Sequence, residues 1–566
     1  MKHQKDLLAV LFFISISILI WASCNIQEAP LSTEAETEKT VRHDQDITTD
    51  ETWNSDKTHI IASEITIKSG IVRIKPGTTV QFEKDAAISV TDGAGFIADG
   101  SEQPIMFGAS NAQKGTWKCI HFFDGARDDS CKLINCSFEY GGADPTGGTI
   151  ICCENSSPTI IGCSISNSSN NGVELIGDCR GIKFHDNVIS NCDFVPVQTY
   201  ISNVSSIGIN TYHDNGINQI RIIGNNVTSN DTWRNLFVPY RLADGVKITN
   251  ATLKIDPAVE LTFEEDESAL ISDGGSIQAI GTASERITFS GSFIGSWNGI
   301  HFNRTANDIN SKLIYCVVEN AGRDNNLSAN VILEDASPEI FNCLIRQGIG
   351  YGIYISGKLK LGNFINNTIT NNAFAPISVS ASGVNGLSPG FYLGNGMNFI
   401  EVRGAPLEDP ITEDGYWDDI GMAYQVKGTI QIQSSTLILA PGLNVQMTES
   451  SGFALLIQGG LIADGTSEMI TIEGSQQWAG SWNNIFFSNT ANANNCQLIH
   501  CRIGYGGGDT YRPGMIYCDN LSPTIRNCII KSSLTYGIYL NGNANIADLP
   551  SNLFNGNGYG NYYHIP

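Results

Sequence analysis

The sequence predicts an all-β chain whose short parallel strands wind into stacked coils, a solenoid of three tandem homologous units of about 180 residues. One observation is a set of landmarks in phase. Gly115-Thr-Trp117-Lys-Cys-Ile120-His-Phe122 returns as Gly295-Ser-Trp297-Asn-Gly-Ile300-His-Phe302 and as Gly480-Ser-Trp482-Asn-Asn-Ile485-Phe-Phe487. The Trp offsets are 180 and 185, and Cys136, Cys316 and Cys501 keep them, as do Gly172, Gly352 and Gly537. Ser157-Pro158, Ser337-Pro338 and Ser522-Pro523 follow the same beat. A second observation is alternation. Apolar residues alternate over four to six positions, then Gly, Asn, Ser or Pro breaks the run, as in Ser157 to Ser166 and Leu361 to Thr370. Period two makes each run a strand with one buried face. A repeat that cannot bury its own face must stack on its neighbour. The third is composition: 16% charged residues and 58 Gly in 566 suit many short strands joined by many turns.

The chain opens with Lys2, His3 and Lys5, then the apolar run Leu7 to Trp21, then Ala22-Ser23-Cys24. That run is too short for a spanning helix, which needs ~20 residues. A basic start, a short apolar stretch and small residues together read as a secretory signal over residues 1–23. The Cys after Ala22-Ser23 resembles the bacterial lipoprotein signal, with Trp21 standing where such signals carry an aliphatic residue. The resemblance implies acylation of Cys24, an N-terminal lipid anchor in a membrane, and a cell-envelope location on the outer membrane of a Gram-negative bacterium. The other reading is an ordinary signal peptide with a coincidental Cys. Residues 24–50 are rich in Glu, Thr and Asp, contain Pro30 and lack apolar periodicity, so they are expected to be a flexible acidic tether.

Three units follow, at 51–230, 231–414 and 415–566, each opened by a Trp (Trp53, Trp233, Trp417), the third shorter than the others. Irregular stretches around 203–240 and 382–425 leave two arrangements open, one continuous coil or three modules. Pro158-Thr-Ile-Ile-Gly-Cys163-Ser-Ile165-Ser-Asn and Tyr351-Gly-Ile-Tyr354 resemble the repeats of right-handed parallel β-helix proteins. Ile255-Asp-Pro257, Leu439-Ala-Pro441-Gly442 and Ala463-Asp-Gly465-Thr-Ser resemble phrases of the secreted bacterial members. The resemblance implies a pectate-lyase-like fold and is silent on activity, because that coil carries lyases, hydrolases, adhesins and inert spacers.

Fourteen Cys follow Cys24. Cys136, Cys163 and their counterparts sit beside apolar core residues, where a free Cys packs as a small hydrophobe. Cys131 with Cys153, and Cys496 with Cys518, are each 22 apart, and the second unit has Ser311 and Leu333 in those places. Loss as a pair admits two readings: disulfides across neighbouring coils, or coincidence. Asp144, Asp324 and Asp509 each end a Gly-rich turn. They fit either ordinary turn chemistry or loose Ca²⁺ ligation with turn carbonyls. His121 and His301 alternate with inward Ile and Phe, so they are expected to face out, as a ligand surface for sugar rings or as cover for neighbouring loops. No other cofactor is expected. No nucleophile with its base, phosphate loop or dinucleotide fingerprint stands out, and no set of catalytic residues is assigned.

With 33 basic and 57 acidic side chains the net charge is −24, which excludes nucleic acid as a partner. The expectation is an exported cell-envelope lipoprotein whose solenoid is a non-catalytic scaffold for binding or adhesion, to a polysaccharide (glycan) or a surface protein. Repetition favours it, since a catalytic site is one of a kind. A polysaccharide lyase or glycoside hydrolase is the alternative. It requires carboxylates and an Arg or Lys converging in one groove.

Overall fold

The computed structural model describes residues 39–566 except 92, 145–147, 265–267, 273, 324–326, 406–408 and 449–453. The signal segment, the Cys24 anchor and Asp324 lie outside the described residues. Every ladder between strands is parallel, and among the described residues the strands fall into seven sheets. The chain is a parallel β-solenoid of about twenty turns. Each turn lays down three strands, as in Glu51–Trp53, Thr58–Ile61 and Glu64–Ile67, so successive turns add one strand to each of three faces.

The coil starts earlier than the tether boundary placed it. Thr40–His43 pairs with Thr58–Ile61, and Ile47 bridges to Ile67. Two of the acidic residues of that segment close turns. Asp46 accepts from the Thr66 amide at 2.9 Å and Asp50 from the Ile71 amide at 2.9 Å.

The coil is also continuous across both joints. Val197–Tyr200 pairs with Ile220–Ile223, which pairs with Tyr240–Leu242. Ile377–Ser380 pairs with Ile400–Arg403, which pairs with Tyr424–Lys427. One sheet of thirteen strands, from Glu64–Ile67 to Thr368–Thr370, joins the first unit to the second. Another of fourteen, from Asn226–Val227 to Leu553–Asn555, joins the second to the third. A unit runs through twenty-two strand positions, one more than seven turns of three. The third face of one unit therefore continues as the second face of the next. Equivalent residues of successive units are turned by one face around the axis.

Alternation fills the lumen with Ile, Val, Leu and Phe, most of them fully buried. The repeated Trp residues pin corners. Trp117, Trp297 and Trp482 donate their indole N–H to the carbonyls of Glu139, Glu319 and Gly504 at 2.8, 2.8 and 2.9 Å. Trp117 and Trp297 stack on Phe82 and Phe263 with ring centroids 4.1 and 4.2 Å apart. The repeated Cys residues do more than fill space. Cys163, Cys343 and Cys528 donate Sγ–H to the carbonyls of Leu133, Leu313 and Leu498 at 3.3, 3.2 and 3.2 Å. One turn on, Asn187, Asn367 and Asn552 continue the same columns. Their Oδ1 accepts from the Cys amides at 2.9, 3.0 and 2.9 Å, and their Nδ2 donates to the carbonyls of Ile160, Ile340 and Ile525. Buried turn backbone is thus paired from turn to turn, as buried polar groups must be.

Candidate functional site

The turned units place the two sequence-selected His residues on different sheets. His121 lies on the thirteen-stranded sheet between Ser89 and Cys152. His301 lies on the fourteen-stranded sheet, beside Ile332. Each pairs with a carboxylate two residues along the adjacent strand, His121 Nε2 to Glu154 at 3.3 Å and His301 Nε2 to Glu334 at 2.7 Å. His121 also stacks on Phe123 at 3.6 Å. Burial lowers its pKa against the pull of Glu154.

Asp509 Oδ1 accepts from the amides of Tyr511 and Arg512 at 2.9 and 3.2 Å, and Oδ2 from Arg512 Nη1 at 3.1 Å. Both oxygens serve the turn. Asp144 is exposed. No group of three His, Cys, Asp or Glu side chains among the described residues is arranged to hold a metal. Cys131, Cys153, Cys496 and Cys518 all face the lumen, fully buried and as free thiols. Burial pushes Cys131 up to about 12 and Cys496 up to about 11, so none is a ready thiolate.

A dense polar constellation lies elsewhere, on the outer face of the fourteen-stranded sheet at the second joint. Outward positions of successive strands bring Tyr354, Ser378, Glu401 and Gln425 into one column. Glu401 is only 3% exposed. One of its carboxylate oxygens accepts from Tyr351 Oη at 2.8 Å and Ser378 Oγ at 2.9 Å, and the other pairs with Lys427 Nζ. Burial alone would raise the Glu401 pKa, but Lys427, Tyr351 and Ser378 together hold it below the ordinary value. The group is an anion at neutral pH. Burial, with the bond to Glu401, pushes the Tyr351 phenol up to about 12.

Arg403 stands over Tyr354, its Cζ 3.8 Å from the ring centroid, and donates to Ser378 Oγ at 2.5 Å and the Ile355 carbonyl at 2.6 Å. This fixes the guanidinium through a cation–π contact and two hydrogen bonds. Beside it opens a cleft of about 340 Å³ lined by Arg304, Asp335, Tyr354, Ser380, Arg403 and Asp409. Arg304 pairs with Asp335 at 2.7 Å. Asp409 Oδ2 is buried and has no hydrogen-bond partner among the described residues. Three cations thus meet three carboxylates across the cleft and the buried Glu401 pair.

The first joint has an equivalent column with different chemistry, Glu174, Gln198 and Arg221, followed by Arg241. Arg221 and Arg241 both hold Glu264, at 3.1 and 2.8 Å. The Glu174 carboxyl is raised by burial, against its bond from Gln198. The second-joint cluster therefore breaks the repetition. Its signal lay in Ile400-Glu401-Val402-Arg403, a strand with opposite charges at both outward positions, where the first unit has Arg221 and Ile223. Comparison with protein-family models, curated proteins and solved structures returns no match.

Proposed function

We propose that the protein is an exported, lipid-anchored scaffold of the bacterial cell envelope, with a pectate-lyase-like β-helix whose second joint binds a neutral glycan. The observation that carries the ligand class is the cleft beside Arg403. Its charges balance, so it offers directed hydrogen bonds rather than a field for a polyanion. Among the described residues Asp409 Oδ2 lacks a donor, which a sugar hydroxyl would supply. Tyr354 and the planar Arg403 give the flat wall against which a pyranose ring packs. Fixed polar groups beside an aromatic surface are what orient a small polar ligand.

Titration calorimetry with a panel of neutral and acidic polysaccharides tests this. Neutral polymers are expected to bind, and Arg403→Ala or Asp409→Asn to weaken binding about tenfold or more. Binding unchanged in both variants overturns the assignment. Convergence of Asp335 and Asp409 with Arg403 in one cleft favours a second reading, glycan cleavage. New reducing ends or unsaturated products in the same assay would replace the scaffold reading. The anchor is tested separately. Cys24→Ala is expected to move the protein from the membrane to the soluble fraction and to abolish palmitate labelling; retention in the membrane overturns it.

A further inference from the structure

The opening coils of the three units differ in one ion pair. In the first unit Thr52 stands opposite Arg73, and Arg73 Nη1 pairs with Asp50 Oδ2 at 3.4 Å. The other oxygen of Asp50 accepts from the Ile71 amide at 2.9 Å. Register places Thr232 opposite Lys254 in the second unit and Tyr416 opposite Ile438 in the third. The second unit has Asn230 in the place of the acid. Its Oδ1 keeps the bond to the next strand, from the Thr252 amide at 2.9 Å, but it carries no charge. The third unit keeps the acid, as Asp414 on the Thr436 amide at 2.7 Å, and has lost the base. Lys254 is thus the base of the pair without its carboxylate.

A second donor has lost its acceptor at the same coil. In the first unit the Trp53 indole N–H donates to Glu51 Oε2 at 3.0 Å. Its counterpart Asp231 is one methylene shorter, and its Oδ1 accepts from the Thr232 amide at 2.8 Å. Trp233 Nε1 is left buried with no acceptor among the described residues. Arg234 adds a further cation where the first unit has Asn54 and the third has Asp418. Among the described residues neither Arg234 nor Lys254 is in an ion pair.

Arg234 and Lys254 line one cleft of about 470 Å³ with Asn230, Asp231 and Thr232. One six-stranded sheet ends at Lys183–His185 and the next begins at Asp231–Trp233, so the cleft opens where a face changes sheets. Two cations face one carboxylate there, in a protein of net charge −24. That net charge repels a long polyanion. A single small anion can still take charge-assisted hydrogen bonds from the two cations. Thr232, Gln278 and Asn310 line the cleft with neutral donors and acceptors, which suit ligand hydroxyls.

We propose that the first-joint cleft binds a small hydroxycarboxylate, whose carboxylate takes the place that the Asp50 carboxylate holds beside Arg73 in the first unit. The site is separate from the Arg403 cleft and stands without the glycan reading.

Titration calorimetry of the purified protein with gluconate, glucose and inorganic phosphate tests the proposal. Gluconate is expected to bind, glucose not to bind, and phosphate to bind more weakly than gluconate. Lys254→Gln and Arg234→Gln should each weaken gluconate about tenfold or more. The decisive variant is Asn230→Asp, which keeps the acceptor for the Thr252 amide and supplies the missing carboxylate from the chain itself. It is expected to abolish gluconate binding without lowering the melting temperature. Gluconate binding that survives Asn230→Asp, or that is indifferent to both Gln variants, overturns the proposal. So does equal binding of glucose, tighter binding of phosphate, or no binding of gluconate at millimolar concentration. Matched melting temperatures show that the Gln variants fold.

Discussion

At the first coil two imidazoles report on pH. His43 Nε2 and His59 Nδ1 are 3.0 Å apart, and both rings lie against Trp53 at 4.3 and 5.1 Å. His59 Nε2 donates to the Asn54 carbonyl at 3.3 Å, so Nδ1 accepts from His43. Only a neutral His59 can keep both bonds, because a proton on Nδ1 removes the acceptor that His43 needs. Burial lowers both pKa values, with the neighbouring His adding to the effect at His43. A lowered folded-state pKa means that the unfolded chain binds more protons as pH falls below ~6.5. The stability this pair contributes is complete above that pH and is lost as pH drops toward the folded values. Melting temperature should therefore fall between neutral and mildly acid pH, and the fall should shrink in His43→Gln; an unchanged slope in that variant would count against the pair. The Asn columns make a second residue-scale prediction. Asn367 is buried and holds the Cys343 amide and the Ile340 carbonyl at once. Asn367→Leu strands both groups and should cost about 2 kcal/mol or more in urea unfolding. The sequence marked these Asn residues as turn formers and the Cys residues as apolar filler. The shared role was illegible, because a column spans three turns and mixes residue types.

Single turns show why some repeated landmarks are invariant in kind and others only in place. Gly172, Gly352 and Gly537 keep the 180 and 185 beat because no Cβ fits. At Gly352 an added Cβ would stand 2.2 Å from Ile369 and 2.6 Å from the Pro376 carbonyl, and at Gly172 2.6 Å from both Ile189 and the Pro196 carbonyl. Gly352→Ala must push a backbone carbonyl of the next turn aside, so a loss of about 1–3 kcal/mol is expected by thermal or urea unfolding. Asn135, Tyr315 and His500 occupy one left-handed bend position, φ 49°, 51° and 50°, with three different side chains. There the stacked coil imposes the backbone and the residue adapts. Strand periodicity and repeat length were therefore readable from residue type, while the bends were readable only where Gly or Asn happened to occupy them. The outward positions carry no periodic constraint at all. Glu401 and Arg403 looked like any polar face of a strand until their neighbours on adjacent turns were known.

Over the whole molecule, the repeat arithmetic has a consequence that the sequence states without revealing. Identical offsets establish that residues are equivalent; they do not say that a unit closes on seven turns plus one face. That extra face carries one unit into the next along the thirteen- and fourteen-stranded sheets. It also keeps equivalent side chains from forming one stripe, so His121, His301 and Phe486 look out from three different sheets. A binding surface on this rod is a local feature, in keeping with a polar cluster at the second joint that the first joint does not repeat. The same continuity governs how the rod unfolds. In a stacked array stability is close to a sum of turn and interface contributions, and independent transitions arise only where an interface is weak. The irregular stretches around 203–240 and 382–425 would be such places if they were linkers. Instead Ile220–Ile223 and Ile400–Arg403 are hydrogen-bonded on both sides across them. Calorimetry is expected to show one main transition, and native-state proteolysis to spare both joints. Two well-separated transitions, or rapid cleavage into fragments of unit length, would mean that the joints are weaker than the turns they connect.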